Sequence, residues 1–152
     1  MCSLRSAPWY GEPETSSSPC SSTPLKCLAG LLEQESGYLP EVINGKRLSS
    51  AGAQGIAQFM PATAAQFGID PLDPESAIDG AAMYLRHLMD NYDFTLREAI
   101  YAYNAGPGTV QQYGVGATEE NKNYYPGILK KAAKYGYSEA FRDPTMMRPV
   151  FQ

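Results

Sequence analysis

The chain has 152 residues, 43% of them hydrophobic and 18% charged, which is the balance of one soluble globular domain with a single core. Its formal net charge of −4 offers no basic footprint, so nucleic acid is excluded as a partner. No apolar run approaches the roughly 18 residues of a membrane-spanning helix, so no membrane span is expected.

Residues 1–24 read as an irregular arm dominated by Gly, Pro, Ser and Thr, with Trp9-Tyr10 as its bulky pair. Arg5 is not followed by an apolar stretch, so a secretory signal is not expected. The cysteines, Cys2, Cys20 and Cys27, are odd in number and make no disulfide framework. A Cys20–Cys27 bridge is conceivable, and Cys27 also fits a small buried residue of the first helix.

Thr23-Pro24 has the form of a helix start, and that helix should run to Ser36 and stop at Gly37. Leu25, Leu28, Leu32 and Glu35 are spaced three, four and three apart, which puts them on one helical face. A carboxylate at the inner end of such a stripe leaves bulk water, and desolvation disfavours its charged form. A carboxyl group kept protonated near neutral pH is what an acid catalyst of glycosidic cleavage requires. The plainer alternative is that Glu35 reaches solvent at the helix end, as most glutamates do.

From Pro40 to Ala57 helical periodicity is weak, and Asn44-Gly45 is a hairpin-turn signal, so a short, poorly regular β excursion is expected. Met60-Pro61 opens a short helix that ends at Gly68. Asp73-Pro74 caps the next, whose inner stripe is Ile78, Ala81, Ala82, Leu85, Leu88 and Met89. Thr95 and Glu98 form a capping box ahead of a stripe of Leu96, Ala99, Ile100 and Tyr103, closed by Gly106-Pro107-Gly108. A further helical turn covers 109–113, and 119–135 is helical again with a bend at Pro126. Residues 138–152 carry Pro144 and Pro149 without periodicity and read as a tail. The fold class is therefore mainly α, several short helices with a small irregular or β-hairpin lobe. His87, the single histidine, sits in a helical pattern without an oriented nucleophile, and scattered Cys residues supply no ligand spacing. Neither a metal nor a cofactor is expected.

Four separated segments now combine. Glu35-Ser36 with Pro40, Gly55-Ile56-Ala57-Gln58 followed by Met60-Pro61-Ala62-Thr63-Ala64, Ala102-Tyr103-Asn104-Ala105-Gly106, and Tyr124 occur in that order. This set resembles the soluble lytic transglycosylase (SLT) family of peptidoglycan-cleaving enzymes, over roughly residues 25–135. The resemblance implies a lysozyme-like domain at 25–137, peptidoglycan glycan strands as substrate, and Glu35 as sole catalytic acid and base. By the same carry-over Ser36 helps orient the site, Gln58, Tyr103 and Asn104 occupy the family's motif positions, and Tyr124 lies close to the catalytic carboxyl. All five enter as substrate-binding candidates. Ile56 and Ala57 depart from the usual Leu-Met pair, which would reshape a wall of the saccharide cleft.

Ordinary glycosidases use two carboxyl groups. Glu33 lies about 200° around the helix from Glu35, Asp73 is explained as a cap, and Glu41, Asp70 and Asp79 fall in no chemistry-bearing block. A lytic transglycosylase, as the resemblance implies, needs neither a second carboxylate nor water. Two alternatives remain: a goose-type muramidase adding water, and a catalytically silent wall-binding or virion structural module. Action at the bacterial cell wall without an export signal suggests a phage-associated enzyme or another delivery route. The arm and the tail would then meet virion or secretion-apparatus partners.

Overall fold

The computed structural model describes residues 23–137. Expectations for the arm, the tail, Trp9-Tyr10 and a Cys20 bridge lie outside those residues. Seven α-helices follow one another: α1 (Thr23–Ser36), α2 (Pro40–Ile43), α3 (Pro61–Phe67), α4 (Pro74–Tyr92), α5 (Leu96–Ala105), α6 (Pro107–Tyr113) and α7 (Glu119–Ala132), with a 3-10 turn at Ala133–Tyr135. The mainly helical expectation holds.

Helix α5 is the centre. Its Ala99, Ile100, Tyr101 and Ala102 are consecutive and all buried, which leaves only a narrow exposed side at Arg97 and Asn104. It packs against α4, α6 and α7. The Thr95–Glu98 capping box is formed in full and fixes where α5 begins. On α4, capped by Asp73 through the Ser76 N–H, the buried side is Ala77, Gly80, Ala81, Leu85 and Leu88. Leu31, Leu88, Ile100 and Ile128 are fully enclosed and join four helices in one core. Burying each such side chain contributes about 2 kcal/mol.

Helices α1 and α7 form an antiparallel pair: Lys26 Nζ donates to the Gly136 carbonyl at one end (3.1 Å), and Glu35 meets Tyr124 at the other. Midway, a Cβ on Gly30 would lie 2.7 Å from the Ile128 carbonyl oxygen and 2.8 Å from the Ala132 nitrogen. The two backbones touch there, and only glycine permits it.

The structure departs from expectation at Leu25 and between Pro40 and Gly45. Leu25 is 67% exposed, whereas Cys27 and Leu31 are buried. At about 100° per residue Leu25 shares its direction on the wheel with Leu32 and Ser36, both buried, so its exposure comes from its place in the first turn of α1 and not from the face it lies on. Residues Pro40–Ile43 are helical, a single turn too short to show periodicity but opened by a proline at its first position. Asn44-Gly45 closes that turn, the Asn44 N–H donating to the Pro40 carbonyl (3.0 Å), and is not a hairpin. The β character falls at the end of the expected stretch: Gln54 and Phe59 form an isolated antiparallel bridge around Gly55–Gln58, and among the described residues no longer strand occurs. Helix α7 runs unbroken through Pro126.

Candidate active site

Glu35 occupies the last turn of α1, and its exit is locked. The Ser36 hydroxyl donates to the Leu32 carbonyl (2.9 Å) and accepts from the Tyr38 N–H (3.1 Å), while Tyr38 Oη donates to the Ala29 carbonyl (2.8 Å). Gly37 and Tyr38 both hold positive φ, 59° and 54°, turning the chain sharply away. Ser36 is 3% exposed with its hydroxyl engaged on both sides, so it braces the turn from within.

The Glu35 carboxyl accepts a hydrogen bond at Oε1 from the buried Tyr124 hydroxyl of α7. Burial lifts its pKa from 4.5 to about 7; the Tyr124 hydrogen bond opposes that rise and the like charge of Glu120 adds to it. Burial, with Glu35 as second cause, also holds the Tyr124 and Tyr103 phenols well above their ordinary value. Both remain neutral donors.

Tyr103 links α5 to the bridged turn. Its Oη donates to the Ala57 carbonyl (2.8 Å), and its ring packs against Phe59 and Tyr84 with centroids 5.9 and 5.6 Å apart. Ile56 and Ala57 point into the core rather than lining a wall. Gln58, at φ 51°, folds its amide back so that Nε2 donates to the Gly55 carbonyl (2.9 Å). Asn104, next after Tyr103, is exposed, and its Oδ1 accepts from Asn121 Nδ2 (3.1 Å). The structure thus joins Glu35 and Tyr124 directly and sets Tyr103 within their electrostatic reach. Ser36 sits behind them, and Gln58 and Asn104 stand on flanking elements without a bond to Glu35.

Three other carboxylates are engaged elsewhere. Glu33 accepts from Lys134 and from Tyr135 Oη, which lowers its pKa; Glu41 faces Arg47; Asp70 accepts from the Leu72 N–H. Two residues of the site carry no motif signal. Glu120 lies one turn before Tyr124 on the same helical face, and that i, i+4 spacing was the available clue. Asn121 is 1% exposed, an unusual burial for an amide in a first helical turn. His87 belongs to a ring cluster, at 4.9 Å from Phe67 and stacked on Tyr84. With Phe67, Tyr84, Tyr92 and Pro107 it lines a groove of about 230 Å³ that Glu35 does not border. Among the described residues no cluster of His, Cys, Asp and Glu could hold a metal ion, and no helix is long and apolar enough to cross a membrane.

The fold defines the class first. The chain superposes on the lytic transglycosylase Slt of Pseudomonas aeruginosa, solved as an inactive mutant, with a TM-score of 0.58 at 24% identity, covering 84% of this chain and 23% of that one. The 70 kDa soluble lytic transglycosylase of Escherichia coli gives 0.57 at 28% identity, over 82% and 23%. The Transglycosylase SLT domain model matches residues 19–126, and the chain belongs to that family. It is similar to the transglycosylase of Enterobacteria phage PRD1, 34% identical over 107 residues, 70% of this chain and 36% of that protein. It is also similar to the Membrane-bound lytic murein transglycosylase F of Pseudomonas putida, 29% identical over 133 residues, 74% of this chain and 26% of that protein. The chain therefore spans about a third and a quarter of the lengths of these two relatives.

Proposed function

We propose that this domain is a peptidoglycan lytic transglycosylase in which Glu35 acts as acid and then as base. The observation that carries the reading is a glutamate whose pKa of about 7 leaves it protonated in a large fraction of molecules at neutral pH. Tyr124 donates to Oε1, which leaves Oε2 to carry the transferable proton. That proton passes to the glycosidic oxygen between N-acetylmuramic acid and N-acetylglucosamine as the C1–O bond breaks. The resulting carboxylate removes the proton of the muramoyl C6 hydroxyl, whose oxygen closes on C1. The products are a free 4-hydroxyl and a 1,6-anhydro sugar. Intramolecular closure benefits from the high effective concentration of a tethered nucleophile. Glu33, Glu41 and Asp70 are held by other partners and make no hydrogen bond with Glu35, which supports a mechanism in which none of these three takes part.

In this reading Ser36 and Tyr103 position the carboxyl and the bridged turn, while the amides of Gln58 and Asn104 face the N-acetyl groups and hydroxyls of the glycan. The substrate places the action at the cell wall, and likeness to a phage transglycosylase supports delivery with a virion. We assign contacts with a virion or a secretion apparatus to the arm of residues 1–24 and the tail of residues 138–152. A second reading, hydrolysis by a muramidase, is favoured by a second carboxylate, Glu120, whose charge is felt at Glu35.

Glu35→Gln should keep the fold and abolish clearing of purified peptidoglycan, since an amide delivers no proton. Substantial residual clearing would defeat the proposal. Mass spectrometry of the wild-type digest separates the two readings: anhydro products are lighter by one water than hydrolytic ones.

A further inference from the structure

Asn121 is enclosed in the first turn of α7, and every polar group it has is used. Its N–H donates to Thr118 Oγ1 (3.0 Å), its Oδ1 accepts from the Gly116 N–H (3.0 Å), and its Nδ2 donates to the Tyr101 carbonyl (3.3 Å) and to Asn104 Oδ1 (3.1 Å). Two of those partners are backbone groups of fixed polarity. Exchanging the oxygen and nitrogen of the amide would set NH2 against an N–H and oxygen against a carbonyl, leaving buried groups unsatisfied. The amide therefore has one orientation, and it transmits that orientation. Asn104 must turn its oxygen inward to Asn121, so its NH2 faces outward. Among the described residues that NH2 has no partner, and Asn104 is an exposed residue, so the bond from Asn121 orders a side chain that contributes little to the core.

We infer that Asn121 is a positioning residue that fixes Asn104 with its NH2 group toward the cleft, so that Asn104 recognises a hydrogen-bond acceptor on the glycan. This rests on the lytic transglycosylase reading. On a strand of N-acetylated sugars the strongest neutral acceptor is the acetamido carbonyl oxygen, and a donor of fixed direction selects it over a hydroxyl, which can serve either role. An acceptor turned outward would favour hydroxyl donors and give no such preference.

The test has two arms. In the native full chain, labelled with 15N, hydrogen exchange of the side-chain amides should be slow for Asn121 and fast for Asn104; protection of the Asn104 NH2 overturns the orientation. In the Glu35→Gln background, where turnover is stopped, calorimetric titration compares a β-1,4 tetramer of N-acetylglucosamine with one of glucose. Asn104→Asp keeps the acceptor for Asn121 and removes the outward donor. It should weaken the acetylated tetramer about tenfold while changing the glucose tetramer less than about twofold. Asn121→Ala should shift the same ratio in the same direction, and combining it with Asn104→Asp should add no further shift. Equal losses for both sugars, independent effects of the two substitutions, or no binding of the acetylated tetramer would each overturn the inference. If Asn121→Ala does not fold, the exchange arm and Asn104→Asp still decide it. Wild-type failure to cleave peptidoglycan would instead defeat the underlying reading, and leaves both arms readable.

Discussion

Moving the Glu35 carboxyl from 4.5 to about 7 has a consequence for stability as well as for proton donation. The native state holds this proton where the unfolded chain has already released it. Between pH 4.5 and about 7 the folded form therefore binds more protons, and stability falls as pH rises through that window. Above it the cost levels off at roughly 3 kcal/mol. Glu35→Gln carries no charge to desolvate, so it should match wild type near pH 4.5 and exceed it at pH 8 by about that amount. Urea denaturation across this range checks it; a constant difference would contradict the burial argument. Of the polar side chains in the motifs, the burial of Glu35 was legible from its place on the α1 stripe. The inward engagement of Ser36 and the Gln58 side chain was not, because local hydrogen bonds compete with any ligand and leave no trace in spacing.

The contact between α1 and α7 decides how closely Glu35 and Tyr124 approach. Gly30→Ala would drive a methyl group into the Ile128 carbonyl and the Ala132 nitrogen, both backbone atoms that cannot swing aside. The expected result is a loss of about 2 kcal/mol by overpacking, together with a lengthened Glu35–Tyr124 contact and a shifted Glu35 titration. Thermal melts and NMR titration of the carboxyl measure the two; an unchanged melting temperature would mean that the helices separate freely. Element boundaries were read well where a chemical device marks them, as at Thr95–Glu98 or Asp73. They were missed at Pro40–Ile43, one turn long, and the apolar stripe of α1 is buried at Leu32 but exposed at Leu25, because the first turn of a helix is covered less than its middle.

Across the whole molecule the irregular segment is tied to the helical body at two places. Tyr103 holds the Ala57 carbonyl, and Gly55, at φ 74°, lies so close to Pro71 that an added Cβ would sit 1.6 Å from its carbonyl oxygen. Gly55→Ala combines a strained backbone with that overlap, so a loss above about 3 kcal/mol is expected, with failure to accumulate as soluble protein the extreme form. A variant melting within a few degrees of wild type would show that the turn is loosely attached. The ring cluster of Phe59, Phe67, Tyr84, His87 and Tyr103 packs α3, α4 and α5 against this turn.

Local chemistry in the sequence determined most helix starts, the mainly helical class, the family motifs and Glu35 as the candidate acid. Each of these depends on residues within a few positions of one another or on ordered motif blocks. The tertiary structure alone decided how far the proton affinity of Glu35 rises, that Tyr124 bonds it directly across 89 positions, and the influence of Glu120 and Asn121. Those depend on desolvation and on hydrogen bonds between distant segments, and neither exists until α1, α5 and α7 have packed.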